Sequence, residues 1–139
     1  MENEKKELTI RAKLSEVDRA RKFITNELDQ RNCPEDVAGR IELALEEMLV
    51  NVVCYAYPEG EGEVTVTVLF PKSDVIRIEI TDKGIPYDPT KRSDPDVAKP
   101  LNQRKKGGLG IFMTKQIMDE MTYDHKDGLN RTILIKQFK

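Results

Sequence analysis

Two seven-residue runs, "VTVTVLF" (Val64 to Phe70) and "VIRIEIT" (Val75 to Thr81), constrain this chain more than any other feature. Each alternates apolar with polar or small residues, the period of a strand with one buried face. Only "PKSD" separates them, so they predict an antiparallel hairpin. One face of that hairpin must be covered. The cover is legible just upstream, where Val37, Ile41, Ala44, Leu45, Met48, Leu49, Val52 and Val53 recur at helical spacing after Pro34.

The remaining elements follow from the same two periods. Leu8, Ile10 and Ala12 alternate with Thr9, Arg11 and Lys13 and predict a first strand. Ser15 is a candidate cap for a helix to about Arg31, burying Val17, Ala20, Phe23, Ile24 and Leu28. "YPEGEGE" breaks the chain. Asp82 to Lys106 is a long polar loop with four prolines, a length typical of a lid, a binding loop or disorder. "GGLGIFMTKQIMDEM" (Gly107 to Met121) predicts a glycine-led helix, and "NRTILIKQF" a last strand. The expected fold is an α+β two-layer sandwich, a mixed and mainly antiparallel sheet with helices on one face, in a single domain over residues 1–139.

Composition narrows the function classes. With 38% apolar and 35% charged residues, 139 residues suffice for a core without staples. A net charge of −2 argues against a general nucleic-acid or anionic-membrane binder. No apolar run is long enough to span a membrane. "MENEKKEL" lacks the apolar core of a leader, and Cys33 and Cys54 lack metal-type spacing. Reduced thiols in a cytoplasmic protein are expected.

Three short patterns could carry chemistry. Glu47 and Asn51 lie one turn apart on the flank of the second helix's apolar stripe. Asn51 lies nearest the apolar face, where an unpaired amide costs about 1–3 kcal/mol. Its ordinary reading is an amide bonded to backbone or water, beside a solvated Glu47. Asp82 and Gly84 in "TDKGIPYDP" follow directly on a strand, as a simple turn or as a carboxylate aimed at a ligand. Gly107, Gly108 and Gly110 bare backbone N–H groups at a helix N-terminus, with Arg104, Lys105 and Lys106 before them. The spacing is neither that of a P-loop nor that of a Rossmann turn. A flexible loop ending in a helix accounts for it equally well.

In combination the patterns are more specific. "LEEMLVNVVCYAY", "TDKGIPYDP" and "GGLGIFMTKQIMDEM" resemble the N box and the two glycine boxes of the GHKL-type ATP-binding fold, shared by gyrase, heat-shock chaperone ATPases, histidine kinases and mismatch-repair ATPases. "DKGIPYDP", "DPDVAKPL" and "GGLGIF" are similar to the bacterial anti-sigma-factor serine/threonine kinases. That resemblance implies ATP and Mg²⁺ as cofactors. It implies Asn51 as the Mg²⁺ ligand and Glu47, rather than the adjacent Glu46, as general base. It implies that Asp82 accepts the adenine amino group, with Gly84 making room for the ring. Gly108, Leu109 and Gly110 would cradle phosphates, aided by Lys105 and Lys106. The last strand offers Thr132, then Ile133, near the family's usual polar adenine contact. The implied activity is phosphorylation of a serine on a STAS-type anti-anti-sigma partner. The alternative is an ATP-binding module that sequesters a sigma factor or another regulator with little turnover. Homodimers are common among such proteins. A histidine-kinase catalytic domain is disfavoured: the lone His125, in "YDHKDG", reads as an ordinary surface residue of a loop.

The segment 88–106 is the expected lid, mobile without nucleotide and ordered around phosphates. Limited proteolysis should cut within it in the free protein and slow once saturating Mg·ATP is added. Unchanged cleavage would refute a nucleotide-closed lid.

Overall fold

A computed structural model describes residues 4–58, 60–86, 88–91 and 108–139, the side chains of Lys91, Gly108 and Leu109 excepted. The elements run β1 (Lys6–Arg11), α1 (Val17–Gln30), α2 (Glu35–Tyr55), β2 (Glu63–Lys72), β3 (Val75–Asp82), α3 (Gly108–Ile117), β4 (Glu120–Lys126) and β5 (Leu129–Gln137). Short 3₁₀ turns lie at Leu14–Glu16 and Pro89–Lys91. The five strands form one sheet in the order β1-β2-β3-β5-β4. The sheet, expected to be mixed and mainly antiparallel, is antiparallel at every described pairing. Among the described residues no helix is long and apolar enough to cross a membrane.

Alternation in the strands sorts the two faces. Ile10, Val64, Val66, Val68, Phe70, Ile76, Ile78, Ile80 and Leu134 are buried and share a cluster with Ile24 and Leu28 of α1, Ile41, Leu45 and Leu49 of α2, and Ile111 of α3. The helices therefore cover one face. The register Val66↔Ile80 and Ile80↔Thr132 carries that inner face across three strands. Pro71 lies where the β2–β3 register shifts, between Leu69 and Lys72. A residue without an N–H is tolerated at such an irregularity.

Two helix boundaries differ from the sequence reading. Ser15 does not cap α1. It sits inside the preceding 3₁₀ turn, and the N-cap position, Glu16, makes no side-chain cap bond. The glycine-led helix stops at Ile117, not Met121, and the chain turns at once into β4. The Asp119 N–H donates to Ile135 O at 2.9 Å, which binds the exit of α3 to the sheet. β4 was missed because it is an edge strand in which only Met121 and Tyr123 are part-buried, which gives too short an alternation. The signal for it lay in "KDGL". Asp127 (φ 54°) and Gly128 (φ 78°) are both left-handed, as a two-residue I′ hairpin turn requires.

Gly84 brings the end of β3 against the end of α2. A Cβ there would lie 2.6 Å from both the carbonyl carbon and the Cβ of Ala56, and the Ile85 N–H donates to Ala56 O at 2.8 Å. Gly39, exposed on α2, has nothing within 4 Å of its Cβ position. Gly84→Ala should lower stability by at least about 1–3 kcal/mol, because the obstacle is backbone. Gly39→Ala should raise it by about 1 kcal/mol through helix propensity. Urea midpoints moving in the same direction for both would refute this account.

Candidate functional site

The pocket opens between α2 and the ends of β3, β4 and β5. Met48, Asn51, Val52 and Ala56 line it from the helix, Asp82 and Ile85 from the β3 end, and Tyr123, Asn130 and Thr132 from β4 and β5. It exists because α2 lies over the sheet along its apolar stripe while the flank of that stripe faces the strand ends.

Asn51 is 4% exposed. Its Nδ2 donates to Glu47 O, one turn back, at 2.9 Å. That bond fixes the amide, and among the described residues the buried Oδ1 has no hydrogen-bond partner. A buried acceptor normally has a partner, so this oxygen suits a hard cation or a ligand donor.

Glu47 is half-buried and packs against α3. A Cβ on Gly110 would lie 3.2 Å from the Glu47 carboxyl carbon and closer still to Oε2. A side chain at position 110 would displace the carboxylate from this position. Thr114, fully buried, donates to Gly110 O at 2.9 Å and reaches Ala44 O at 3.4 Å, which holds α3 to α2 at this contact. Burial pushes the Glu47 carboxyl up, with a smaller push from the neighbouring Glu46 charge. Glu46 faces the other way, 3.9 Å from the guanidinium of Arg21 on α1. That guanidinium also bonds Glu42 at 2.8 Å.

Asp82 is 7% exposed and lines the pocket. Its Oδ1 accepts the Gly84 N–H at 2.8 Å and Asn130 Nδ2–H at 2.9 Å. Asn130 also donates to Ile85 O at 2.8 Å and Gly84 O at 3.2 Å. Its Oδ1 accepts from the Tyr123 hydroxyl, and His125 Nδ1 lies 3.1 Å away. Tyr57 steadies the same turn from below: its hydroxyl donates to Glu63 O at 2.6 Å and accepts the Lys83 N–H at 2.9 Å.

The structure thus brings Asn51 and Asp82 into one pocket and sets Glu47 beside Gly110. Gly84, expected to make room for a ring, does not line the pocket. The space where its Cβ would stand is taken by Ala56. Gly108 opens α3 and Leu109 follows within it. Lys105 and Lys106 lie outside the described residues, as does 92–106 of the expected lid. Of Thr132 and Ile133 on β5, Thr132 lines the pocket and Ile133 lies on the opposite face. His125 belongs to β4 rather than to a loop. Sequence reasoning missed Asn130 and Tyr123. The available signal was polar Asn130 and Thr132 sharing the inward face of β5 with Leu134.

The raised Glu47 carboxyl gives a pH prediction. Below about pH 4.3 the group is protonated in both the folded and unfolded chain. Above that value the unfolded chain ionises first, so the stability that Glu47 allows in acid is lost as pH rises through its folded value. Glu47→Gln should therefore be more stabilising near pH 7 than near pH 4. A stability difference that does not change with pH would show that Glu47 is not perturbed.

A family model described as "Histidine kinase-like ATPase domain" matches residues 10–136. The chain is 29% identical over 94 residues to the serine/threonine-protein kinase BtrW of Bordetella bronchiseptica, covering 68% of this chain and 66% of that protein. It is 27% identical over 139 residues to the serine-protein kinase RsbW of Bacillus cereus, covering 97% of this chain and 85% of that one. Among solved structures, the RsbU and RsbW domains of Rv1364c from Mycobacterium tuberculosis superpose with a TM-score of 0.69 at 15% identity. That match covers 96% of this chain and 32% of the other, and shows a shared fold. The family match spans all three helices and reaches from the end of β1 into β5, so that Glu47, Asn51, Asp82 and Gly110 all fall inside it: the chain belongs to the histidine kinase-like ATPase domain family.

Proposed function

We propose that this protein is an ATP-dependent serine/threonine kinase that phosphorylates a serine on a STAS-type anti-anti-sigma partner, and so acts as an anti-sigma-type regulator. One observation carries the reading most directly. A half-buried carboxylate, Glu47, stands one helical turn before a buried amide oxygen without a partner, on Asn51, and against a glycine of α3. A domain that only bound nucleotide would have no need of the carboxylate. The names of the kinase relatives support serine as the acceptor. The similarity of "DKGIPYDP", "DPDVAKPL" and "GGLGIF" to the anti-sigma-factor kinases supports the STAS-type partner.

In this reading Asn51 Oδ1 holds Mg²⁺, which fits an oxygen ligand that the described residues leave unpaired. Bound there, Mg²⁺ would neutralise phosphate charge. Asp82 accepts the adenine amino group inside the pocket, beside Thr132. The N-terminus of α3, from Gly108 through Leu109 to Gly110, offers backbone donors to the phosphates, and Lys105 and Lys106 add positive charge. Glu47 takes the proton of the attacking serine hydroxyl. Burial raises its affinity for that proton, which suits a general base working near neutrality. Phosphoryl transfer then needs positioning and charge stabilisation, with no covalent nucleophile from the protein.

Single-turnover transfer of labelled phosphate to a STAS-domain protein encoded beside this one tests the proposal. Glu47→Gln should bind Mg·ATP normally and transfer about 10²–10⁴-fold more slowly. Glu46→Gln, turned toward α1, should transfer near the wild-type rate. Asn51→Ala should lose Mg·ATP affinity itself. Wild-type transfer by Glu47→Gln would remove the base. ATP binding without transfer to any partner would favour a regulator-sequestering module.

A further inference from the structure

We propose that Asn130 is a specificity-determining positioning residue: with the Gly84 N–H it holds one side-chain oxygen of residue 82 inward, so that the other atom of that group faces the purine. The inference rests on the reading of this pocket as the adenine site, and goes beyond it by assigning the discrimination to a pair of residues rather than to Asp82 alone.

The assignment comes from counting donors and acceptors. A carboxylate oxygen offers about two lone-pair positions. Asp82 Oδ1 receives two N–H groups, from Gly84 and from Asn130, at 2.8 and 2.9 Å. Both positions are filled. Oδ2 takes no hydrogen bond from the described residues, and Asp82 lines the pocket. Asn130 itself has one permitted orientation. Its NH₂ faces three acceptors: Asp82 Oδ1, Ile85 O and Gly84 O. Its Oδ1 faces the Tyr123 hydroxyl and His125 Nδ1. A flipped amide would press an oxygen against a carboxylate and two carbonyls. Asn130 is 4% exposed, so water does not relieve that clash.

A fixed pair of donors on one side of residue 82 has a chemical consequence. With Asp82 the outer atom is an acceptor and matches a 6-amino purine. In Asp82→Asn the amide oxygen must stay with the Gly84 and Asn130 donors. The NH₂ is then forced outward, where it matches a 6-oxo purine. Without Asn130 the amide at position 82 is held from one side only and can present either end.

The test is equilibrium binding of ATP and of inosine triphosphate, which carries a carbonyl at position 6, with thermal melts of each variant in parallel. The wild type should favour ATP by at least tenfold, on the order expected when a buried polar group loses its partner. Asp82→Asn should invert the preference toward inosine triphosphate. Adding Asn130→Ser to Asp82→Asn should bring the ratio to within about threefold of unity. Asn130→Ser alone should keep a preference for ATP, because either oxygen of an ionised Asp82 is an acceptor.

If the single and double Asp82 variants show the same ratio, the role of Asn130 is overturned. If the double variant does not fold, Asp82→Asn decides alone, since it keeps every bond of Asn130: retained ATP preference overturns the proposal. A wild type that does not distinguish the two nucleotides would instead overturn the adenine reading of Asp82, and the proposal with it.

Discussion

A 21-residue helix laid over a sheet can bury one stripe of side chains, and everything else here follows from where that stripe ends. In α2 the stripe is Ala38, Ile41, Ala44, Leu45, Met48 and Leu49. It locks the helix over the inner face of β2 and β3. The flank then lies between α3 on one side and the strand ends on the other. Glu47 reaches Gly110 and Asn51 reaches the pocket because the packing of Leu45 and Leu49 leaves them no other direction. The chemistry is therefore positioned by apolar burial and needs few bonds of its own.

The sheet places the other half of the pocket by register. Asp82 stands opposite Asn130, and Ile80 opposite Thr132, so the polar ends of β3 and β5 meet on the helix-covered face. The glycine at position 84 then folds the exit of β3 against Ala56, which brings Asp82 and the last turn of α2 to the same opening. Tyr57 joins the loop after α2 to the turn after β3 through one hydroxyl. Three separate chain segments converge there, joined by hydrogen bonds.

Legibility in the sequence tracked the strength of the physical signal. β2, β3 and α2 were readable because burial on one face imposes a clean period. Most of the expected inward residues of α1 are buried, although its start was misplaced: a 3₁₀ turn, not Ser15, opens it. β4 was unreadable because a mostly exposed edge strand is under little such constraint, and its turn residues, Asp127 and Gly128, were the surer guide. The inward placement of Asn51 could be read from a helical wheel. That of Asn130 could be read from its alternation with Thr132 and Leu134, but its partners could not, because they come from β3, β4 and the turn after Asp82, and no local spacing brings those together. Gly84 was recognised for a ligand-side reason, whereas the contact that requires a glycine there is with the chain itself.

The unpartnered oxygen of Asn51 has a cost that falls on the resting protein. A buried acceptor without a donor forfeits about 1–3 kcal/mol of solvation, a sizeable share of the 5–15 kcal/mol by which an ordinary domain is stable. An apolar side chain of similar volume at this position would make a sturdier fold. In the proposed reading, a ligand bound at Asn51 would recover that cost as affinity.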